Sequence, residues 1–303
     1  MDCTRGSIAG DKSNVSNRLF IHHSFRAEPA AAAIGQGENR HGDRRLANLH
    51  AVLRWLAHQQ SKLEIIIVEQ DAEPRLDPAL LPPGCIHVFT YNDDVFNKSW
   101  AFNVGFRHAH GEVLALGDAD MIISGRDILS ESIAMCRTDA EAVKPYSHLI
   151  DLTLEETDQF LDSGECFIPA RCGQAPDREG IGEFVCFCGG LFLIRRSVYD
   201  TLGGFDERFL GWGGEDDAMS EKIERLVASS RVVTGVTACH LYHERPRSLR
   251  YEHEHYSRNV ALLRKYRNAS TWNLLDLCGR HRFTMGDKDT HTEHVFRQPA
   301  GNL

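Results

Sequence analysis

The sequence predicts an α/β fold with a mainly parallel sheet flanked by helices. Three observations predict it. Short continuous apolar runs recur, segments of helical period separate them, and several runs end in acidic residues. Continuous apolar character marks strands buried on both faces, as in a parallel sheet covered by crossover helices. Carboxylates at the end of such a strand stand where open α/β sheets bind ligands.

The elements follow in order. "RLFIHHSF" reads as a first strand. Leu46, Leu49, Val52, Leu53 and Leu56 recur at helical spacing behind Asp43, a plausible cap. "EIIIVEQD" and "CIHVFTYN" read as strands, and a helix is expected from about Asn97 to Ala109. "EVLALGDAD" reads as another buried strand, with a helix from about Ser124. "AVKPYSHLIDL" reads as one strand, and Thr153 with Glu156 makes a capping box. Residues 163–185 carry Gly and Pro without period, and a loop of that length in a compact domain is usually functional. "FCGGLFLI", a Gly203-Gly204 turn, a helix bearing Met219, Ile223, Leu226 and Val227, and a last strand "RVVTGVTACHLYH" complete the pattern. Residues 1–17 read as a disordered arm, 18–283 as one domain and 284–303 as a polar tail.

Composition excludes several functions. The 303 residues are 42% hydrophobic and 25% charged, with a net charge of -9 and no Lys/Arg block. That balance argues against nucleic acid as a partner. No apolar run approaches the ~20 residues of a transmembrane helix, and the start of the chain lacks a signal-peptide core. A cytoplasmic location is the expectation, and nine irregularly spaced cysteines fit reduced thiols. Without G-x-G-x-x-G after the first strand or G-x-x-x-x-G-K-[ST], neither a Rossmann dinucleotide site nor a P-loop is supported.

Three stretches carry candidate chemistry. Asp118 and Asp120 in "LALGDADMII" form a D-x-D at a strand end, where hard divalent cations find carboxylate oxygens. Two turn aspartates would give the same pattern. His240 and His243 in "TACHLYHERP" follow the last strand at H-x-x-H spacing. Alone they read as polar loop residues; with the D-x-D they make a mixed O/N set suited to Mn²⁺ or a similar divalent cation. His253 and His255 read as a solvated helix start. The third stretch is "FLGWGGEDDAMSEK". Glu215, Asp216 and Asp217 stand at a helix start that favours negative charge. Successive residues diverge by roughly 100°, so they cannot all cap. Trp212 offers a flat apolar face of the kind that packs on a sugar ring.

Read together, "FNKSWAFNVGF", "GDAD", "CGGLFLIRRSVYDTLGGFDERFLGWGGEDDAMSEKI" and "HLYH", in that order, resemble the inverting β-1,4-galactosyltransferase family of GT-A glycosyltransferases. Polypeptide N-acetylgalactosaminyltransferases and bacterial chondroitin-type polymerases share much of the pattern. The resemblance covers roughly residues 18–265, and the Gly-Trp-Gly-Gly-Glu-Asp-Asp block is its specific part. It implies a UDP-sugar donor, a divalent metal on the diphosphate and a saccharide or glycoconjugate acceptor. By motif, Asp120 and His243 correspond to metal ligands. Asp118, Arg26 and Lys98 fall at nucleotide-sugar positions, with Asp71 facing the same pocket. Gly189 and Gly190 lie under the donor sugar. Asp216 falls on the catalytic base, while Trp212, Glu215 and Asp217 would orient the acceptor.

The chain departs from the family at two residues. His240 stands where animal members have Met, which implies a second imidazole at the metal. Phe187 replaces an aromatic hydroxyl near the donor sugar, which leaves galactose and N-acetylhexosamine both open. A retaining or polymerising GT-A transferase and a non-catalytic nucleotide-sugar-binding protein are the rival readings. A metal-dependent hydrolase is a weaker one.

Overall fold

The structure, a computed structural model, describes residues 19–25, 43–59, 63–167, 186–245, 250–287 and 293–299. The N-terminal arm read from the sequence, Arg26, and residues 168–185 of the Gly- and Pro-bearing loop lie outside the described residues.

An eight-stranded sheet forms the centre, in the order β11-β3-β2-β1-β4-β8-β6-β9. Its heart is four parallel strands: β1 (Leu19–Phe25), β2 (Leu63–Asp71), β3 (Ile86–Tyr91) and β4 (Val113–Asp118). β8 (Leu191–Arg195) runs antiparallel to both β4 and β6 (Ala142–Lys144), and β9 (Ser230–Val232) is parallel to β6. A smaller sheet joins β5 (Met121–Ile123), β10 (Thr237–His240) and β7 (His148–Asp151).

The apolar runs are continuous because both sheet faces are covered. Ile65, Ile67, Val113, Ala115, Leu191 and Leu193 belong to one buried cluster, with Leu49, Val52 and Trp55 of α1 (Arg44–Ala57). The alternate residues Ile66, Val68, Leu114, Leu116, Phe192 and Ile194 belong to the other. There they meet Phe102 and Val104 of α2 (Lys98–His108) and Tyr199 of α5 (Arg196–Thr201). Met219 and Ile223 of α6 (Glu215–Leu226) join them. Each fully buried aliphatic or aromatic side chain contributes roughly 1.5–3 kcal/mol, so the two layers fix the strand register.

Several caps stand where the sequence puts them. Asp43 accepts from the Leu46 amide, and Asn97 accepts from the Trp100 amide at the start of α2. Thr153 and Glu156 close a capping box on α4 (Leu154–Ser163). Other boundaries differ. "AVKPYSHLIDL" is two strands, β6 and β7, in different sheets, and "RVVTGVTACHLYH" likewise divides into β9 and β10. β5 and a Gly125 turn (φ 117°) precede α3, which starts at Ile128 and runs to Thr138. Cys186 and Cys188 lie in a turn ahead of β8 rather than in a strand. The segment read as a polar tail contains β11 (Glu293–Arg297), antiparallel to β3. Helices α7 (Glu254–Asn268) and α8 (Thr271–Arg282) complete the chain, α7 packing on α6. Among the described residues no helix is long and apolar enough to cross a membrane.

Candidate active site

The parallel strands reverse their order at β1, which has β2 on one side and β4 on the other. Ligands bind open α/β sheets at such a switch point, beyond the carboxyl ends of the strands. Asp118 ends β4 there, and the chain leaves through Ala119 and Asp120 into β5. The two acidic residues of the D-x-D join different clusters.

The first cluster centres on Lys98, the first residue of α2. Its Nζ lies 2.8 Å from Asp118 Oδ1, 2.9 Å from Asp216 Oδ2 and 3.8 Å from Glu215 Oε1. Glu215 and Asp216 reach it from the first turn of α6, which begins at Glu215. Gly214 is the N-cap, at φ 92°, and a Cβ there would sit 2.9 Å from the Phe209 ring. Glycine is therefore required. Asp217, next in the helix, turns outward and pairs with Arg267 at 3.1 Å.

Three carboxylates around one ammonium leave surplus negative charge in a buried place. Burial alone would lower the Lys98 pKa, but Asp118, Asp216 and Glu215 reverse this and hold it well above its usual value. Burial pushes Asp216 up to about 8; the Glu215 and Asp118 charges add to this, and Lys98 only partly offsets it. Burial raises Glu215 as well. Asp216 Oδ1 and Glu215 Oε2 are buried without a hydrogen-bond partner among the described residues.

The second cluster joins Asp120, His240 and His243, whose ligand atoms lie within 4.8 Å of one another. His240 Nε2 is 3.3 Å from Asp120 Oδ1, and His243 Nε2 is 3.2 Å from Asp120 Oδ2. All three residues are at most 9% exposed. Burial would raise the Asp120 carboxyl, yet the two imidazoles and Arg45 outweigh it and hold the group well below its ordinary value. Asp120 Oδ1 accepts no hydrogen bond among the described residues. A buried, unsatisfied carboxylate oxygen between two imidazole nitrogens fits a divalent cation that takes mixed O/N ligands.

The turn before β8 closes the site. Gly190 (φ 85°) accepts a 2.8 Å bond from the Asp118 amide, and a Cβ on it would lie 2.9 Å from Met121 Cε. Tyr146 donates to the Gly189 carbonyl, and Lys144 donates to the Cys186 carbonyl at 2.5 Å. Ser220 Oγ accepts from the Cys188 amide at 3.0 Å and donates to the Asp216 carbonyl at 2.8 Å. The turn carrying Gly189 and Gly190 is thus bonded to the helix carrying Asp216. Phe187 meets Phe192 edge-on at 6.3 Å.

Trp212 is half-buried. It stacks on Tyr256 at 5.7 Å and meets Tyr251 edge-on at 4.7 Å, with the Arg250 guanidinium 5.7 Å from its ring. Asn259 fixes the loop by donating to the Leu210 and Trp212 carbonyls. Asp71 pairs with Arg75 at 3.3 Å and accepts from the Ala72 amide, so its carboxylate is engaged locally at the end of β2. His253 caps α7 and His255 pairs with Glu254, in keeping with a helix start. Sequence reasoning missed Lys144, Tyr146, Ser220, Tyr251 and Tyr256, which carry no motif. It also missed Asp151, although "HLID" ends in a carboxylate as "LALGD" does.

Residues 43–203 match the model of glycosyl transferase family 2, more than half of the chain. The chain belongs to glycosyl transferase family 2. Residues 182–246 match a second model, described as the N-terminal domain of galactosyltransferase, which spans the Glu215–Asp217 block and both histidines. Human chondroitin sulfate N-acetylgalactosaminyltransferase 2 is 30% identical over 157 residues, which make up 50% of this chain and 28% of that protein. The match therefore spans little more than a quarter of that relative's length. Two solved structures share the fold. A mannosyltransferase from Pyrobaculum calidifontis, in complex with GDP-Man and Mn²⁺, matches at TM-score 0.51 and 15% identity, over 90% of this chain and 72% of its own. S. aureus TarS 1–349 matches at TM-score 0.51 and 11% identity, over 88% and 71%. This family 2 protein is a glycosyltransferase with the GT-A fold of nucleotide-sugar transferases.

Proposed function

We propose that the chain transfers a hexose from a UDP-sugar to a saccharide hydroxyl with inversion at the anomeric carbon, Asp216 acting as base. The observation that carries this reading is the shared ammonium. Lys98 holds Asp216 at 2.9 Å and Asp118 at 2.8 Å, so the carboxylate of the Gly-rich block stands beside the strand end that carries the D-x-D. A base must lie within reach of the hydroxyl it deprotonates.

Asp216 takes the acceptor proton as the hydroxyl oxygen attacks the anomeric carbon, and the bond to UDP breaks on the opposite side. Lys98 is close enough to Asp216 to favour its ionised form when the attack begins. Asp120, His240 and His243 would hold a divalent cation, with Mn²⁺ the first candidate. When bound, such an ion offsets charge on the leaving diphosphate. Gly190, whose missing Cβ lets Tyr146 and Met121 pack against it, holds its turn close to β4, where the donor sugar would lie. Glu215, beside Lys98, and the half-buried Trp212 would orient the acceptor. Asp217, 42% exposed on its side chain, is held away from Lys98 by Arg267.

A second reading, an N-acetylgalactosamine donor with a chondroitin-type acceptor, is favoured by the human relative. UDP release from a panel of UDP-sugars, with Mn²⁺ and then EDTA, on wild type and Asp216→Asn, tests both. Metal-dependent release that prefers one sugar and falls in the variant supports the transferase and names the donor. Release unchanged in Asp216→Asn removes Asp216 from the mechanism. UDP binding without turnover, even with saccharide acceptors present, would leave a nucleotide-sugar-binding protein.

A further inference from the structure

The His240 ring lies between two carboxylates. Its Nε2 faces Asp120 at 3.3 Å, and its Nδ1 faces Asp151 Oδ1 at 3.4 Å. Asp151 ends β7, whose parallel pairing with β10 sets His240 opposite Asp151, and the next amide, Leu152, donates to the His240 carbonyl at 2.9 Å. The Asp151 side chain is only 2% exposed, and its Oδ1 also receives Arg245 Nη2 at 3.0 Å. Arg245 follows His243 by two residues. One carboxylate thus faces the ring of one imidazole and tethers the chain just beyond the other.

A neutral imidazole carries one proton. If Nε2 is to give its lone pair to a cation, the proton must be on Nδ1 and needs an acceptor there. His243 meets this condition with a main-chain carbonyl: its Nδ1 lies 2.9 Å from the Glu244 oxygen. At His240 the group facing Nδ1 is a carboxylate 3.4 Å away, which as the acceptor of that proton would make the ring a better electron-pair donor. Arg245 offsets part of the cost of keeping that acceptor ionised while buried.

We infer that Asp151 is the positioning residue of the cation site, orienting His240 with its proton on Nδ1 and anchoring the segment that carries His243 through Arg245. This rests on the reading of Asp120, His240 and His243 as cation ligands. Outer carboxylates of this kind are worth about 10- to 100-fold in metal affinity.

The test is a titration of the protein with Mn²⁺ alone, and with Mn²⁺ plus UDP, read by the paramagnetic resonance signal of free Mn²⁺. Asp151→Asn, which keeps the side chain's size, is expected to weaken Mn²⁺ about 10- to 100-fold, and Asp151→Glu to recover part of the loss. In a His240→Gln background, Asp151→Asn should weaken Mn²⁺ far less, because the ring it orients is gone. Thermal unfolding without metal checks that each variant is folded; if Asp151→Asn is not, the Arg245→Met variant, expected to weaken Mn²⁺ more mildly, takes its place. Equal Mn²⁺ affinity in a folded variant and in wild type would overturn the role of Asp151 and leave the cation site standing. An undiminished effect of Asp151→Asn in the His240→Gln background would show that it does not act through that ring. If wild type itself binds no Mn²⁺, with or without UDP, the cation site falls and this inference with it.

Discussion

Two residues of one strand end, Asp118 and Asp120, serve clusters of opposite electrical character. Around Lys98 there is too much negative charge: three carboxylates share one ammonium, and burial together with that surplus raises Asp216 to about 8. Around Asp120 a single carboxylate faces two imidazoles and keeps an oxygen without a hydrogen bond. One cluster favours a proton, and the other has a donor set that a divalent cation would suit. A proton-transferring group needs a pKa near working pH, while a metal ligand needs a fixed lone pair, and the fold supplies the two environments two residues apart.

The largest expected effect would sharpen that division. Asp216→Asn should lower turnover by about 10²–10⁴, the usual worth of a general base, and leave Mn²⁺-dependent UDP affinity within about twofold. Asp120→Ala should lower that affinity more than the roughly tenfold at which outer-ligand losses begin. Calorimetry with UDP and Mn²⁺, beside single-turnover assays, separates the two variants. If both fail in the same assay, the clusters are not distinct in function.

Removing the shared ammonium comes next. Lys98→Met leaves its carboxylates without their cation and should cost about 3 kcal/mol near pH 8. At pH 5 the loss should be smaller, because carboxyls that keep their protons need no counter-charge. Urea unfolding at the two pH values checks this, and an equal loss at both would mean that Lys98 matters through packing on Phe102, 5.6 Å away, rather than through charge.

A pH series on the unliganded wild type gives a subtler effect. Asp216 is raised from the ordinary 3.8 to about 8. The folded protein therefore holds a proton that the unfolded chain releases. The stability this contributes is complete below about pH 4 and is lost as pH rises through about 8. Asp216→Asn should flatten the fall in thermal stability across that window; an unchanged slope would place the proton elsewhere. The smallest effect belongs to Asp217. Asp217→Ala breaks only an exposed pair with Arg267 and should change stability by less than about 1 kcal/mol, with turnover near wild type. A large loss of turnover there would return Asp217 to the acceptor site.

Much of the parallel core was legible because β2 and β4 are buried on both faces and read as continuous apolar runs. The metal-type cluster was legible because D-x-D and H-x-x-H are local patterns. What escaped were features set by contact between distant parts of the chain. Pro145–Ser147 and the turn at Gly235 move the chain from one sheet to another, yet the apolar character on either side is the same, so each pair of strands read as one. That Lys98 of α2 gathers Glu215 and Asp216 of α6 beside Asp118 of β4 follows from the meeting of α2 and α6, more than 100 residues apart. Asp151 acquires its place from the register of β7 against β10. β11 is an edge strand with Val295 and Phe296 exposed, so it lacks the apolar pattern that announces a buried strand.

That same edge strand bears on how the chain is made. β11 covers β3, and the two are separated by about 200 residues of sequence. At 5–20 residues per second, a ribosome needs roughly 10–40 s to deliver one after the other. Through that interval the outer edge of β3 presents unpaired peptide groups to any neighbouring chain, the condition under which nascent sheets join edge to edge. The sheet gains its β11 border only after that interval, and a chain stalled or cut before β11 leaves the edge of β3 exposed.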